Sequence, residues 1–456
     1  MNKSISFSQS IWVLLAIFGI LFPALFWGKV EPHMPLFAAT IAAATLLRLF
    51  GVPWKRMEEG LVKGIQTAIA PMLILCLIGM LIGVWMMSGT VPMILHLGIS
   101  LISPEYFTIS ALFLTVIVSS VTGSTFTTIS TIGVAMMGVS TALGLDPLMT
   151  AGAIICGACF GDKMSPLSDT TNFAAAIANV SLMNHIKFMS HTAIPGLLIT
   201  AIFFAVQGQS ADVSLEAIQE IQTVLAQHFS LGITTLLPAA VVLVCSALRK
   251  PILPTLVFGI LSGVATAALV QGVHSPVEWM NVMQNGFASE IANEAVASIV
   301  NRGGLLSMTW SLALILIALS LGGILQYSGV FEALFAGLIQ RIQKAAGMVG
   351  LAGSSSILVN LLTGEQYLSI LLPGQMFHDA FVKQGIEGRR LSRTLEDCGT
   401  LVNPLIPWGV SGAFFTSTLH VATIDYLPYV IYLWISPLLT FLFALRQPKV
   451  TVETRH

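Results

Sequence analysis

Charge is scarce in this sequence. Only 9% of its 456 residues are Asp, Glu, Lys or Arg, whereas 55% are hydrophobic and the mean hydropathy is +0.87. Soluble domains carry roughly 25% charged residues, so an ordinary soluble domain is excluded. Twenty basic and 21 acidic residues leave a net charge of −1 with no basic tract, which argues against a nucleic-acid partner. Cysteine is also sparse. Cys156 and Cys159 form a CxxC, but no second pair or nearby His completes a zinc site, and the stretch "AGAIICGACFG" around them suits helix packing. No HExxH occurs, Cys159-Phe160-Gly161-Asp162 lacks the first glycine of a GxGD protease motif, and no Tyr-Asp pair is present. These absences count against an enzyme, and no cofactor is implied.

Long apolar runs fill the space that charge leaves. Residues 11–27, 70–87 and 426–445 each match the ~17 to 25 residues that a helix needs to cross a bilayer. Similar runs recur along the whole chain, predicting an all-α polytopic membrane protein of about a dozen spans. The first run lacks a small-x-small cleavage site and reads as a retained helix.

The two halves repeat. "GVWMMSGTVPMI" (83–94) aligns with "GILQYSGVFEAL" (323–334), "SSVTGSTF" (119–126) with "NLLTGEQY" (360–367), and "GDKMSPL" (161–167) with "GTLVNPL" (399–405). The order is kept at a nearly constant offset. The expected organisation is N-terminal transmembrane helices in 1–54, one copy in 55–206, a connecting segment with two transmembrane helices in 207–279, a second copy in 280–445 and a cytoplasmic tail in 446–456. Basic residues near span ends favour the cytoplasm. Arg48, Lys55, Arg56 and Lys63 place the loop before the first copy inside, 207–230 has no Lys or Arg, and Arg249-Lys250 and Arg446, Lys449 and Arg455 lie inside again. The copies therefore run in opposite directions, with both termini cytoplasmic. Arg341 and Lys344 fit this pattern poorly unless their helix, 329–345, lies along an interface, and it is left unplaced.

Within each copy one apolar stretch is interrupted. "FGDKMSPLSDTTN" (160–172) lies between 147–160 and 173–183, each short of a full span, and Pro166 removes a helical hydrogen bond. The second copy repeats G-x-x-x-[SN]-P-L at Gly399 to Leu405, between 366–381 and 405–415. Matched breaks in two halves point to a central binding site. Around them stand Asp162, Lys163, Ser165, Ser168, Asp169, Thr170 and Asn172, and Glu396, Asp397, Thr400 and Asn403. Two Thr-Gly tips add Thr122, Ser124 and Thr125 in one copy and Thr363, Glu365 and Gln366 in the other, as expected of hairpins entering the membrane. The donor set is all oxygen, suited to a hard cation such as Na⁺. A carboxylate in a poorly hydrated pocket holds a proton more readily than in water, so H⁺ and Na⁺ compete for one site. Asp162 or Asp169, with neighbouring hydroxyls, is the first choice for that group, with Lys163 as countercharge.

The blocks "FGDKMSPLSDTTN", "AAAIANVSLMNHIKFMSHTAIP", "TGEQYLSILLPGQMF" and "LSRTLEDCGTLVNPLIPWGVSGAFF" are similar to those of the NhaC family of Na⁺/H⁺ antiporters. That resemblance implies a bacterial inner-membrane antiporter with two inverted-topology repeats, each holding a re-entrant hairpin and a broken helix. It maps the family's polar motif residues onto Asp162, Ser165, Ser168, Asp169, Thr170 and Asn172, and onto Glu396, Asp397, Thr400 and Asn403. Glu365 departs from the Asp expected after the Thr-small pair. The same motifs occur in carriers exchanging malate for lactate, or carrying amino acids, so a small organic acid or amino acid stays open as a co-substrate. The other expected partners are membrane lipid, Na⁺ and H⁺, and a homodimer suits the architecture.

Overall fold

The computed structural model describes residues 5–101, 104–207, 215–291 and 293–445, all helix, turn or irregular chain with no strand among them. The expected tail, 446–456, lies outside the described residues. Among the described residues seven helices are long and apolar enough to cross a membrane, or up to nine if two sharply bent pairs each count as one span, and four more apolar helices have 10 to 17 residues. The protein is a multi-pass membrane protein. The described residues hold fewer full-length spans than the expected dozen because several apolar segments are short helices that end at turns and breaks.

Long helices approach through small residues, as expected where lipid offers no hydrophobic drive between helices. Trp54–Met87 packs antiparallel on Leu305–Tyr327, and a Cβ at Gly64 would lie 2.1 Å from the carbonyl oxygen of Leu319. Phe107–Thr122 packs equally closely on Pro147–Met164, where a Cβ at Gly161 would lie 2.5 Å from the carbonyl oxygen of Val116. Cys156 and Cys159 are free thiols buried in the same helix.

Element order matches between the halves. Phe107–Thr122, a turn at Gly123 and Thr125–Ala142 correspond to Ala345–Thr363, a turn at Gly364 and Gln366–Lys383. Both turn glycines are left-handed, with φ of 64° and 67°, a conformation that disfavours any Cβ. Each also abuts the break of its own half. A Cβ would lie 2.6 Å from Leu167 Cβ at Gly123 and 2.7 Å from the Trp408 carbonyl oxygen at Gly364.

Both breaks differ in detail from expectation. The first helix continues past 160 to Met164, so Asp162 and Lys163 occupy its last turn and only 165–168 is unwound before Asp169–Ile177. Gly161 is a packing residue in that helix, and the stop comes from Pro166, which holds Ser165 extended (ψ 131°). In the second half Gln366–Lys383 is a separate helix, turned back at Gly385 (φ 65°). The flank of the break is instead Gly388–Leu395, continuing as a π turn over Glu396–Thr400, with Val410–Leu419 beyond. The helix left unplaced is Val330–Arg341, 12 residues long, with one face, Val330, Phe331, Leu334 and Phe335, buried.

Candidate cation site between the two breaks

The tips and breaks of both halves meet around one cavity of about 230 Å³. From the first half come Ser124, Thr125, Asp162, Lys163, Ser168, Asp169 and Thr170. From the second come Glu365, Gln366, Glu396 and Thr400, with Ala70, Pro71 and Ile74 of the long first-half helix closing one side.

Asp162 docks the first tip. Its Oδ2 accepts from the Thr125 hydroxyl at 2.7 Å and the Thr125 backbone N–H at 3.1 Å. Glu396 is fully buried, and its Oε1 accepts from the hydroxyls of Thr400 at 3.1 Å and Thr170 at 3.2 Å, joining the two halves. Its other oxygen, Oε2, has no partner among the described residues. A buried, unpartnered carboxylate oxygen is costly, and a proton or a cation relieves it. Glu396 opens a π turn, and such turns cluster at functional sites.

Behind the cavity lies an ion pair. Lys163 Nζ pairs with Asp397 Oδ1, both side chains being almost wholly buried, and also donates to Ser436 Oγ at 3.1 Å. Asp397 Oδ1 accepts further from Ser436 at 2.7 Å, while Oδ2 accepts from Thr192 at 3.0 Å and from Thr440. Asp397 is saturated. The ammonium of Lys163 is already committed, so the oxygens left open in the cavity are those of acids, hydroxyls and carbonyls.

Residues 157–446 match the Na⁺/H⁺ antiporter family. Over 445 residues the chain is 49% identical to the Na(+)/H(+) antiporter NhaC of Alkalihalophilus pseudofirmus, covering 97% of this chain and 96% of that protein. The chain belongs to the Na⁺/H⁺ antiporter family. NhaC of Bacillus subtilis is 44% identical over 446 residues, 97% of this chain and 98% of the relative. The malate-2H(+)/Na(+)-lactate antiporter of the same species is 32% identical over 407 residues, 89% and 86% of the two chains. The resemblance to NhaC read from the motif blocks thus extends over nearly the whole sequence, in a family of transporters rather than enzymes.

Of the remaining sequence-predicted residues of this family member, Asn403, Ser165, Asn172, Thr363 and Thr122 stand off the cavity. Asn403 serves the second tip, donating to the Gly364 carbonyl at 2.9 Å and to Asn360 Oδ1 at 2.7 Å, and accepting from Ser411 N at 2.7 Å. Ser165 caps the first break by donating to the Ser120 carbonyl at 2.8 Å, and exposed Asn172 folds back onto the carbonyls of Pro166 and Ser168. Thr363 donates to Val359 within its helix, and Thr122 lies within reach of the Ser119 and Ser124 carbonyls behind the first tip. Asp169 lines the cavity but is exposed at the start of its half-helix. Glu365 spends Oε2 on capping, accepting from Leu368 N at 2.7 Å, as Ser124 accepts from Thr127 N at 3.2 Å in the other tip. Sequence reasoning missed Tyr367, adjacent to Gln366 in "TGEQY", and the hydroxyls of Thr192, Ser436 and Thr440. Polar residues inside otherwise apolar spans were the available signal for those three.

Proposed function

We propose that this protein exchanges Na⁺, and Li⁺, for H⁺ across the bacterial inner membrane by alternating access. Cation and proton compete for Asp162 and Glu396, with hydroxyls of Thr125, Thr170 and Thr400 completing the shell. The observation that carries this reading is the buried, unpartnered Oε2 of Glu396 beside a cavity whose one lysine is consumed by Asp397. An organic anion entering that cavity meets carboxylates and no free cation among the described lining residues. This favours a pure cation exchanger over the malate, lactate or amino-acid alternative.

The matched element order supports two copies of one unit, 55–206 and 280–445, inverted in the membrane, each with a re-entrant tip and a broken helix. On the basic-loop orientation both termini are cytoplasmic. Asp169, exposed, and Ile252, next to Arg249-Lys250, line the cavity on that side, so this conformation is open inward.

The test is proton flux in proteoliposomes carrying a pH-sensitive dye. Na⁺ or Li⁺ alone should drive flux, K⁺ should not, and malate, lactate or amino acids should add nothing. Silence until an organic solute is added would replace this reading with a coupled solute carrier.

A further inference from the structure

A second cavity, of about 810 Å³, lies at the opposite end of the bundle from the basic loops. The antiparallel pair of long helices fixes its place. Arg56 donates to the Tyr327 carbonyl at one end of that pair, whereas Gly304 N donates to the Gly79 carbonyl, at 2.7 Å, near the other. Trp310, close to Gly304, lines the second cavity and donates from its indole to Glu31 at 3.1 Å. The central cavity touches the same long helix between these ends, at Ala70 to Ile74.

The two cavities share a wall. Pro404, Ser411 and Phe415 face the central cavity, and Pro407, Thr416 and Ser417 face the second. Phe415 and Thr416 are consecutive, so the barrier at that point is one half-helix, Val410–Leu419, backed by the irregular stretch before it. It is closely fitted, since a Cβ at Gly412 would lie 2.1 Å from the Ile406 carbonyl oxygen. Phe126, from the first tip, stacks on Phe414 at 4.6 Å and seals the apolar side. Tyr426, fully buried, donates its hydroxyl to the Pro404 carbonyl at 2.5 Å, with Thr423 Oγ1 3.3 Å from the same phenol. Buried carbonyls in unwound chain need such a donor.

We infer that the second cavity is the entrance for hydrated Na⁺ from the side opposite the basic loops, and that the Tyr426–Pro404 hydrogen bond is the latch closing its wall in this conformation. The inference rests on the exchange reading above, to which it adds the outer route and a positioning residue at Tyr426.

The experiment uses full-length protein in vesicles of known orientation and a membrane-impermeant, positively charged methanethiosulfonate. Native Cys159 lines the central cavity and Cys76 and Cys245 are partly exposed, so every labelling rate is read as the excess over the unmutated protein and over Tyr426→Phe and Thr423→Val without an introduced cysteine. Thr416→Cys and Ala422→Cys should label from the outer face, and labelling should cut Na⁺-driven flux at least tenfold. Ser411→Cys, on the central side of the wall, should label from the outer face at least fivefold faster once Tyr426→Phe is added. Thr423→Val, which removes the hydroxyl beside the phenol, should act in the same direction and stands in if Tyr426→Phe fails to fold. The entrance is refuted if the unlabelled variants transport Na⁺ while both vestibule cysteines stay unlabelled from outside, or are labelled without loss of flux. The latch is refuted if neither Tyr426→Phe nor Thr423→Val changes the labelling rate of Ser411→Cys by more than twofold. Absence of Na⁺-driven flux in the unmutated protein overturns the exchange reading instead, and is scored before any labelling.

Discussion

Consider removing the carboxylate of Asp397. Asp397→Asn leaves the Lys163 ammonium buried, with Ser436 as its remaining neutral partner. Breaking a buried pair from one side costs about 3–5 kcal/mol, because the surviving charge stays desolvated without compensation. That corresponds to roughly two to four powers of ten in the folding equilibrium. Adding Lys163→Met removes the stranded charge, and the introduced amide can still accept from Thr192, Ser436 or Thr440. The double variant should therefore recover most of the lost stability, with a coupling of about 2–4 kcal/mol in the double-mutant cycle. The assay is equilibrium unfolding of all four proteins in mixed micelles, paired with flux in proteoliposomes. Because the pair is neutral as a unit, its removal leaves the charge around the cavity unchanged, and Na⁺-driven flux should return with the fold. Two results would refute this reasoning: a double variant no more stable than Asp397→Asn, or a stable double variant that no longer responds to Na⁺. The second would make Asp397 a cation ligand rather than a pin between the halves.

Glu396→Gln should fold normally by size-exclusion chromatography yet slow Na⁺-driven flux at least a hundredfold, and Asp162→Asn should do the same; full activity in both sinks the site assignment. Asp169→Asn, at an exposed position, should raise the Na⁺ needed for half-maximal flux only a few-fold. Gly364→Ala should destabilise by more than the ~1–2 kcal/mol of a left-handed residue, since its Cβ also meets the Trp408 carbonyl oxygen at 2.7 Å. Gly350→Ala, in the same helix with nothing within 4 Å, should instead stabilise by about 0.5–1 kcal/mol, and denaturation midpoints of the two variants check the contrast. On the acid side, the half-maximal Na⁺ concentration should climb about tenfold per pH unit if one proton competes and about a hundredfold if two do; a pH-independent value removes the competition.

Local chemistry made much of this architecture legible. The apolar runs, the Pro166 and Pro404 interruptions and the Thr-Gly tips each follow from hydrogen-bond loss or backbone freedom at the residues concerned. What the sequence concealed was rotation. Asp162 and Lys163 are neighbours, as are Glu396 and Asp397, and adjacent helical residues point about 100° apart. Where the charged end of each member goes depends on where the helix ends, at Met164 rather than 160, and on a π turn over Glu396–Thr400. Neither follows from composition. The hydroxyls around Asp397 were hidden for another reason, since Thr192 comes from a helix 205 positions away, and a polar residue in an apolar run does not announce its partner.

The tips and breaks carry one further consequence. In the first half the tip is capped by a hydroxyl, Ser124, and the residue docking it is a carboxylate, Asp162. In the second half the tip cap is a carboxylate, Glu365, and the docking residue is an amide, Asn403. Each half thus contributes one acid to this arrangement, placed at opposite ends of the same contact. On the proposed route a cation passing between them crosses a lopsided field, so entry from one face and entry from the other would be chemically different events. Forward and reverse exchange would accordingly have unequal rate constants, even though the element order beneath them matches.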